Sequence, residues 1–144
     1  MRNRVAVMHG VNLDALDRRP AEHYGGLTFT ALERRIDGYA AELELDARFF
    51  QTNHEGELVE ELHKASDYAD GILINPGAWT HYSWALRDAL EVSGLPAVEV
   101  HLSDVEHREA FRKVSVLEGV RVAKVSGKGV EGYREALAAL KAAL

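Results

Sequence analysis

The sequence predicts an α/β fold, a three-layer sandwich in which helices cover both faces of a five-stranded parallel sheet. Three observations predict it. Short apolar, strand-like runs recur at 5–8, 46–51, 72–74, 97–100 and 120–125. Segments of helical period separate most of them, and strand–helix–strand order implies right-handed crossovers. Four of the runs end abruptly in polar residues: His9-Gly10-Val11-Asn12, Gln51-Thr52-Asn53-His54-Glu55, Asn75-Pro76-Gly77-Ala78 and His101-Leu102-Ser103-Asp104. In an open parallel sheet ligands bind at the carboxyl ends of the strands, so these four endings mark the candidate site.

After the first strand, residues 10–27 show no period and contain Pro20 and Gly25-Gly26, which predicts a long functional loop. Residues 28–42 predict a helix, with Thr30 and Glu33 spaced as a capping box and Leu32, Ile36, Tyr39, Ala40 and Leu43 on one face. A second helix over 55–65 buries Leu58, Val59, Leu62 and Ala65. Asp70-Gly71 turns into the third strand. A helix over 83–92 packs through Trp84, Ala85, Leu86, Ala89 and Leu90, and Gly94 with Pro96 stops it. Residues 105–113 form a short charged helix or turn. The closing helix, 130–144, presents Tyr133, Leu137, Leu140 and Leu144.

With 144 residues, 47% of them apolar, one domain over 1–144 is expected. Met1-Arg2-Asn3-Arg4 leads directly into a strand and the apolar runs are short, which predicts a soluble, cytoplasmic protein with no membrane partner. The absence of cysteine excludes disulfides, thiolate nucleophiles and zinc–thiolate centres. A net charge of −6 argues against nucleic acid as a partner. Basic spots at Arg18-Arg19 and at 108–113 suit a small anionic substrate, or are scattered solvated charges.

Gly127-Lys128-Gly129-Val130-Glu131-Gly132 spells a dinucleotide fingerprint between a strand and a helix. The motif needs an acidic ribose ligand about 20 residues further on, and only twelve residues follow Gly132. Glycines for a tight turn are the better reading. A receiver domain needs an aspartate where Asn75 stands, and a flavin phosphate loop needs the Ser and Thr that 9–17 lack. Glu99, His101, Asp104 and His107 raise the possibility of a metal. Glu99 and His101 alternate with Val98, Val100 and Leu102, however, so they share one strand face, which suits a carboxylate orienting an imidazole. No third ligand stands at a recognisable spacing, and no metal or cofactor is expected.

His101, at a strand end, is either a hydrogen-bonded structural histidine or an acid–base group. His23, His63 and His107 keep the ordinary surface reading. Tyr24, beside Gly25-Gly26, is either an anchoring aromatic or a base. A free phenol ionises near 10, so a tyrosine base at neutral pH needs a cationic neighbour, and Arg19 stands five residues earlier.

Asn12-Leu13, Arg19 through Tyr24-Gly25, residues 53–58, residues 74–78, Thr80-His81, residues 85–89, residues 99–103, Arg108 with Phe111-Arg112, and Gly127-Lys128-Gly129 to Gly132-Tyr133 together resemble type II 3-dehydroquinate dehydratase. The resemblance runs in order over essentially the whole chain. It implies a flavodoxin-like sheet of order 2-1-3-4-5 and elimination of water from the partner substrate, 3-dehydroquinate, without metal or cofactor. By the same resemblance Tyr24 is the phenolate base with Arg19 keeping it ionised. Asn12 positions a water on the enolate oxygen, and His101 protonates the departing hydroxyl, oriented by Asn75 and Glu99. Leu102 and Ser103 bind the carboxylate, and His81 and Arg112 the ring hydroxyls. Asp88 reaches a neighbouring subunit's site in a trimer, within a homododecamer. Val11, Asp14, Asp17, Pro20-Ala21, Asp104, Tyr82 and Trp84 depart from the family pattern, which usually begins this stretch with Asn where His9 stands. These departures motivate the alternative of a non-catalytic or altered-substrate homologue binding a related cyclic hydroxy acid.

Overall fold

Burial along the strands dictates their order. The computed structural model describes residues 1–144, with β1 Arg4–His9, β2 Asp46–Gln51, β3 Gly71–Asn75, β4 Ala97–Val100 and β5 Ala123–Val125. Every residue of β3 and β4 is buried, whereas β2 and β5 are half-buried. Strands buried on both faces belong inside a parallel sheet, and the order is β2-β1-β3-β4-β5, all parallel, as expected for a flavodoxin-like sheet. The order reverses between β1 and β3, where a crevice opens at the carboxyl ends.

The helices are α1 Ala21–Tyr24, α2 Phe29–Glu42, α3 Glu55–Lys64, α4 Trp84–Ser93 and α5 Glu131–Ala142. Successive strand side chains point to opposite faces. Val5 and Val7 of β1 therefore join α2 and α5 in one core, with Leu32, Ile36, Leu137 and Leu140. Ala6 and Met8 join α3 and α4 in the other, with Leu58, Leu62, Leu86 and Leu90. Each fully buried Leu or Ile contributes about 2 kcal/mol. None of the helices is long and apolar enough to cross a membrane.

Local departures from the sequence expectation have physical reasons. Residues 10–27 are folded: a 3-10 stretch at Leu13–Arg18 and α1 follow β1, because Leu13, Leu16 and Tyr24 enter the α2/α5 core. Thr28, not Thr30, caps α2. It holds the extended conformation of an N-cap, and its hydroxyl accepts from the Ala31 amide at 3.1 Å, so no capping box forms. The strand expected over 120–125 starts only at Ala123; Val120 to Val122 make a turn that leaves Val122 exposed. On α4, Trp84 and Ala85 face solvent rather than core. Residues 105–113 become two 3-10 turns, Val105–His107 and Ala110–Lys113.

The segments leaving β1 and β3 cross in close contact. A Cβ on Gly10 would lie 2.4 Å from the Pro76 carbonyl oxygen, and the Gly10 amide donates to the Asn75 carbonyl at 2.8 Å. Gly77, at φ 64°, would put a Cβ 2.6 Å from the Val11 carbonyl oxygen. Both positions require glycine.

Candidate active site

The crossing places three strand endings around one cleft. The stretch after β1 supplies Leu13, Arg19 and Tyr24; the end of β3 supplies Asn75, Gly77, Ala78 and His81; the end of β4 supplies His101, Leu102, Ser103, Val105 and Arg112. Glu99 lies beneath, fully buried behind His101.

Tyr24 is 7% exposed, so its hydroxyl depends on protein partners. Arg19 Nη2 donates to it at 2.6 Å, with the guanidinium carbon 3.9 Å from the ring centroid. Arg108 Nη1 donates to the same oxygen at 2.7 Å and reaches Ser103 Oγ at 3.4 Å. Both donors are guanidiniums, so one phenol oxygen receives two charge-assisted bonds. Arg108 belongs to the second basic spot, but its contact spans 84 positions and sequence reasoning gave it no site role.

Glu99 and His101 share one face, as their alternation predicts. His101 Nε2 donates to Glu99 Oε2 at 2.6 Å, which leaves Nδ1 as the ring nitrogen not committed to the carboxylate. Thr80 Oγ1 donates to Oε2 at 2.5 Å, while Ser115 Oγ and Arg121 Nε donate to Oε1 at 2.8 and 2.7 Å. Burial alone would raise the Glu99 carboxyl; the hydrogen bonds and charge of His101, with Thr80 and Ser115, overcome it and hold it at about 2. Thr80, Ser115 and Arg121 escaped sequence reasoning, since each reaches Glu99 from a separate turn.

Asn75 makes no hydrogen bond to His101, contrary to the expected orienting contact. Its Oδ1 accepts from the Gly77 amide at 3.1 Å and its Nδ2 donates to the Tyr133 hydroxyl at 3.0 Å. That hydroxyl also meets Nε2 of the wholly buried His9 at 2.8 Å. His81 Nδ1 donates to the Val114 carbonyl at 2.7 Å, leaving Nε2 as its acceptor. Burial lowers its ionisation, against the raising effect of that bond. Arg112 Nε is taken by Glu109 at 2.7 Å.

The Leu102 and Ser103 amides donate to no protein acceptor, while their carbonyls accept from Gly129 and Gly127 at 3.3 and 3.1 Å. The glycine turn thus supports the end of β4, with Gly127 at φ 77° and Gly129 at φ 58°. Asn12 is exposed and does not line the cleft; Asp88 is exposed on α4 and outside it. Asp104 and His107 pair with each other at 2.5 Å on the surface, apart from Glu99.

A flavodoxin-like sheet whose crevice joins an arginine-braced tyrosine to a carboxylate-held histidine has the groups for acid–base chemistry on a small molecule. Residues 3–141 match the family described as dehydroquinase class II. The 3-dehydroquinate dehydratase of Halothermothrix orenii is 47% identical over 138 residues, 96% of this chain and 93% of that protein. That of Bacillus licheniformis is 44% identical over 133 residues, 92% of each. The crystal structure of type II dehydroquinase from Butyrivibrio crossotus superposes with a TM-score of 0.92 at 39% identity, covering 97% of this chain and 98% of that one. A 3-dehydroquinate dehydratase-like protein from Bifidobacterium longum is more distant, with a TM-score of 0.69 at 29% identity over 96% and 94% of the two chains. The chain belongs to the class II dehydroquinase family.

Proposed function

We infer that this chain is a 3-dehydroquinate dehydratase, a hydro-lyase that converts 3-dehydroquinate to 3-dehydroshikimate by anti elimination through an enolate, as one catalytic domain acting in the cytoplasm. The observation that carries the reading is the single cleft containing both the twice-braced Tyr24 and the Glu99-held His101.

Tyr24, as phenolate, takes the proton beside the ketone, and Arg19 and Arg108 hold the charge on its oxygen before transfer. The carbon keeps the electron pair as an enolate, whose oxygen is stabilised by a water held by Asn12. The enolate then collapses to re-form the ketone, its electron pair makes the ring C=C bond, the C–O bond breaks, and His101 gives a proton from Nδ1 to the departing hydroxyl, which leaves as water. Glu99 stabilises the imidazolium before that transfer. Tyr24 then loses a proton and His101 regains one to reset the site. No metal or cofactor step enters. The free amides of Leu102 and Ser103, with the Ser103 hydroxyl, receive the substrate carboxylate. His81, neutral and presenting Nε2, and Arg112 hold the ring hydroxyls, with Asn75 on the cleft floor.

Asp88 completes a neighbouring subunit's cleft, so the working form is a homo-oligomer, a dodecamer of trimers. Exposed Tyr82, Trp84 and Val92, on and beside α4, support an interface there.

The test is enone absorbance on adding 3-dehydroquinate to purified protein, with Tyr24→Phe alongside. Wild-type turnover and its collapse in the variant, with substrate still bound, are expected. A folded oligomer without signal refutes the reading, and near-normal turnover by the variant refutes the base.

A further inference from the structure

The ending of β2 adds nothing to the cleft, yet its side chains hold the segment leaving β1 at three alternate residues. Gln51 Nε2 donates to the Gly10 carbonyl at 3.2 Å. Asn53 Oδ1 accepts from the Asn12 amide at 2.8 Å, and Asn53 Nδ2 donates to Asp14 Oδ2 at 3.0 Å. Gln51 Nε2 also reaches Asn53 Oδ1 at 3.3 Å, so both ends of the Asn53 amide are specified.

Asn12 needs such support. It stands at φ 69°, ψ 3°, the left-handed region, which costs a residue with a side chain about 1 kcal/mol. From Asn12 the chain enters the 3-10 stretch that leads to Arg19 and Tyr24. Asp14 sharpens the arrangement, because an ionised carboxylate only accepts and is satisfied here by the donor end of Asn53.

We propose that Asn53 is a positioning residue whose amide, clamped between the Asn12 backbone and the Asp14 carboxylate, sets the geometry of Asn12 and of the segment carrying the base. This rests on the dehydratase reading for the roles of Asn12 and Tyr24. The clamp itself does not. Asn53→Asp keeps an acceptor for the Asn12 amide but turns a second carboxylate oxygen toward Asp14. Adding Asp14→Asn restores a donor–acceptor pair in the reverse direction.

The test is steady-state kinetics of Asn53→Asp, Asp14→Asn and the double variant, with thermal midpoint and assembly size measured in parallel. Asn53→Asp is expected to lower kcat about tenfold with KM changed less than about threefold, the scale of one hydrogen bond to a charged group. Asp14→Asn, which keeps an acceptor opposite Nδ2, falls less. The double variant returns to within about threefold of wild type, at a similar midpoint. Wild-type kcat in Asn53→Asp, or a double variant no better than it, overturns the proposal. So does a kcat loss that merely follows the midpoint. A second measurement needs no substrate: in Asn53→Ala, backbone hydrogen exchange in residues 10–16 accelerates about tenfold at Asn12, and unchanged exchange there overturns the clamp. Wild-type protein inert toward 3-dehydroquinate sinks the dehydratase reading while the exchange result still decides the clamp.

Discussion

Arg108 Nη1 donates to the Tyr24 hydroxyl at 2.7 Å, a second cationic bond on an oxygen already held by Arg19 at 2.6 Å. The Arg108 side chain is only 10% exposed, so little solvent competes for it. A hydrogen bond to a charged group contributes about 1.5–3 kcal/mol, which is about 10- to 100-fold in rate. Arg108→Ala therefore lowers kcat by about that range while KM changes little, and added guanidine restores part of the loss. Arg108→Lys recovers less than full activity, because an ammonium on a flexible stem does not reproduce the planar fork. Steady-state kinetics of the two variants decides; unaltered kcat in Arg108→Ala refutes the brace.

The parts of the site legible in the sequence are those encoded locally. Strand runs with polar endings place Asn75 and His101, and the alternation of Glu99 with His101 places both on one face. Parts set by non-local packing were not legible. Thr80, Ser115 and Arg121 converge on Glu99 from three turns, and Arg121 falls within the run read as β5. The stretch after β1 reads from sequence as a long loop because its order comes from burying Leu13 and Leu16 and from Asn53, rather than from a helical period. Asp14, one of the departures from the family pattern, is engaged by Asn53.

Glu99 ties activity to acid stability. Its carboxyl is held at about 2, well below the ordinary 4.5. A carboxyl lowered in the folded state adds stability that is complete above about pH 4.5 and is lost as pH falls toward 2, of the order of 3 kcal/mol in all. Arg121→Met removes one of its donors, leaves charge buried, and is expected to destabilise by about 3 kcal/mol. Glu99→Gln keeps the shape but not the charge, so kcat falls about 100-fold or more with KM little changed. Denaturant titrations at pH 3 to 7 and kinetics at pH 7 test both, and a Glu99→Gln variant of normal kcat excludes the orienting role.

His9 predicts a second acid transition. Burial lowers its imidazole from 6.5 to about 3, Nδ1 has no partner, and Nε2 meets only the Tyr133 hydroxyl. The unfolded chain binds a proton at His9 below about pH 6.5 and the folded chain does not. Stability is therefore full above 6.5 and falls by about 1.4 kcal/mol per pH unit as pH drops toward 3. His9→Asn, the residue the family usually carries, removes this slope while the Glu99 slope below 4.5 remains. Across pH 3 to 8 the wild-type thermal midpoint is expected to fall relative to that of His9→Asn as pH drops below 6.5, whichever protein is the more stable above it; parallel curves refute the assignment.

Asp88 is exposed and outside its own cleft, while Trp84, four positions earlier on α4, is 64% exposed and Val92, four positions later, 68%. Residues four apart lie on one helix face, so this face offers two large apolar groups flanking a carboxylate. Covering it in a trimer would bury the apolar groups and carry Asp88 to a neighbour's cleft. Trp84→Glu places a charge in that contact and is expected to shift the sedimenting species to smaller assemblies with at least tenfold lower kcat/KM. Asp88→Ala keeps the assembly but lowers kcat/KM to a similar degree. A wild-type monomer of full activity, or an Asp88→Ala oligomer with unchanged kcat/KM, is incompatible with a site shared between subunits.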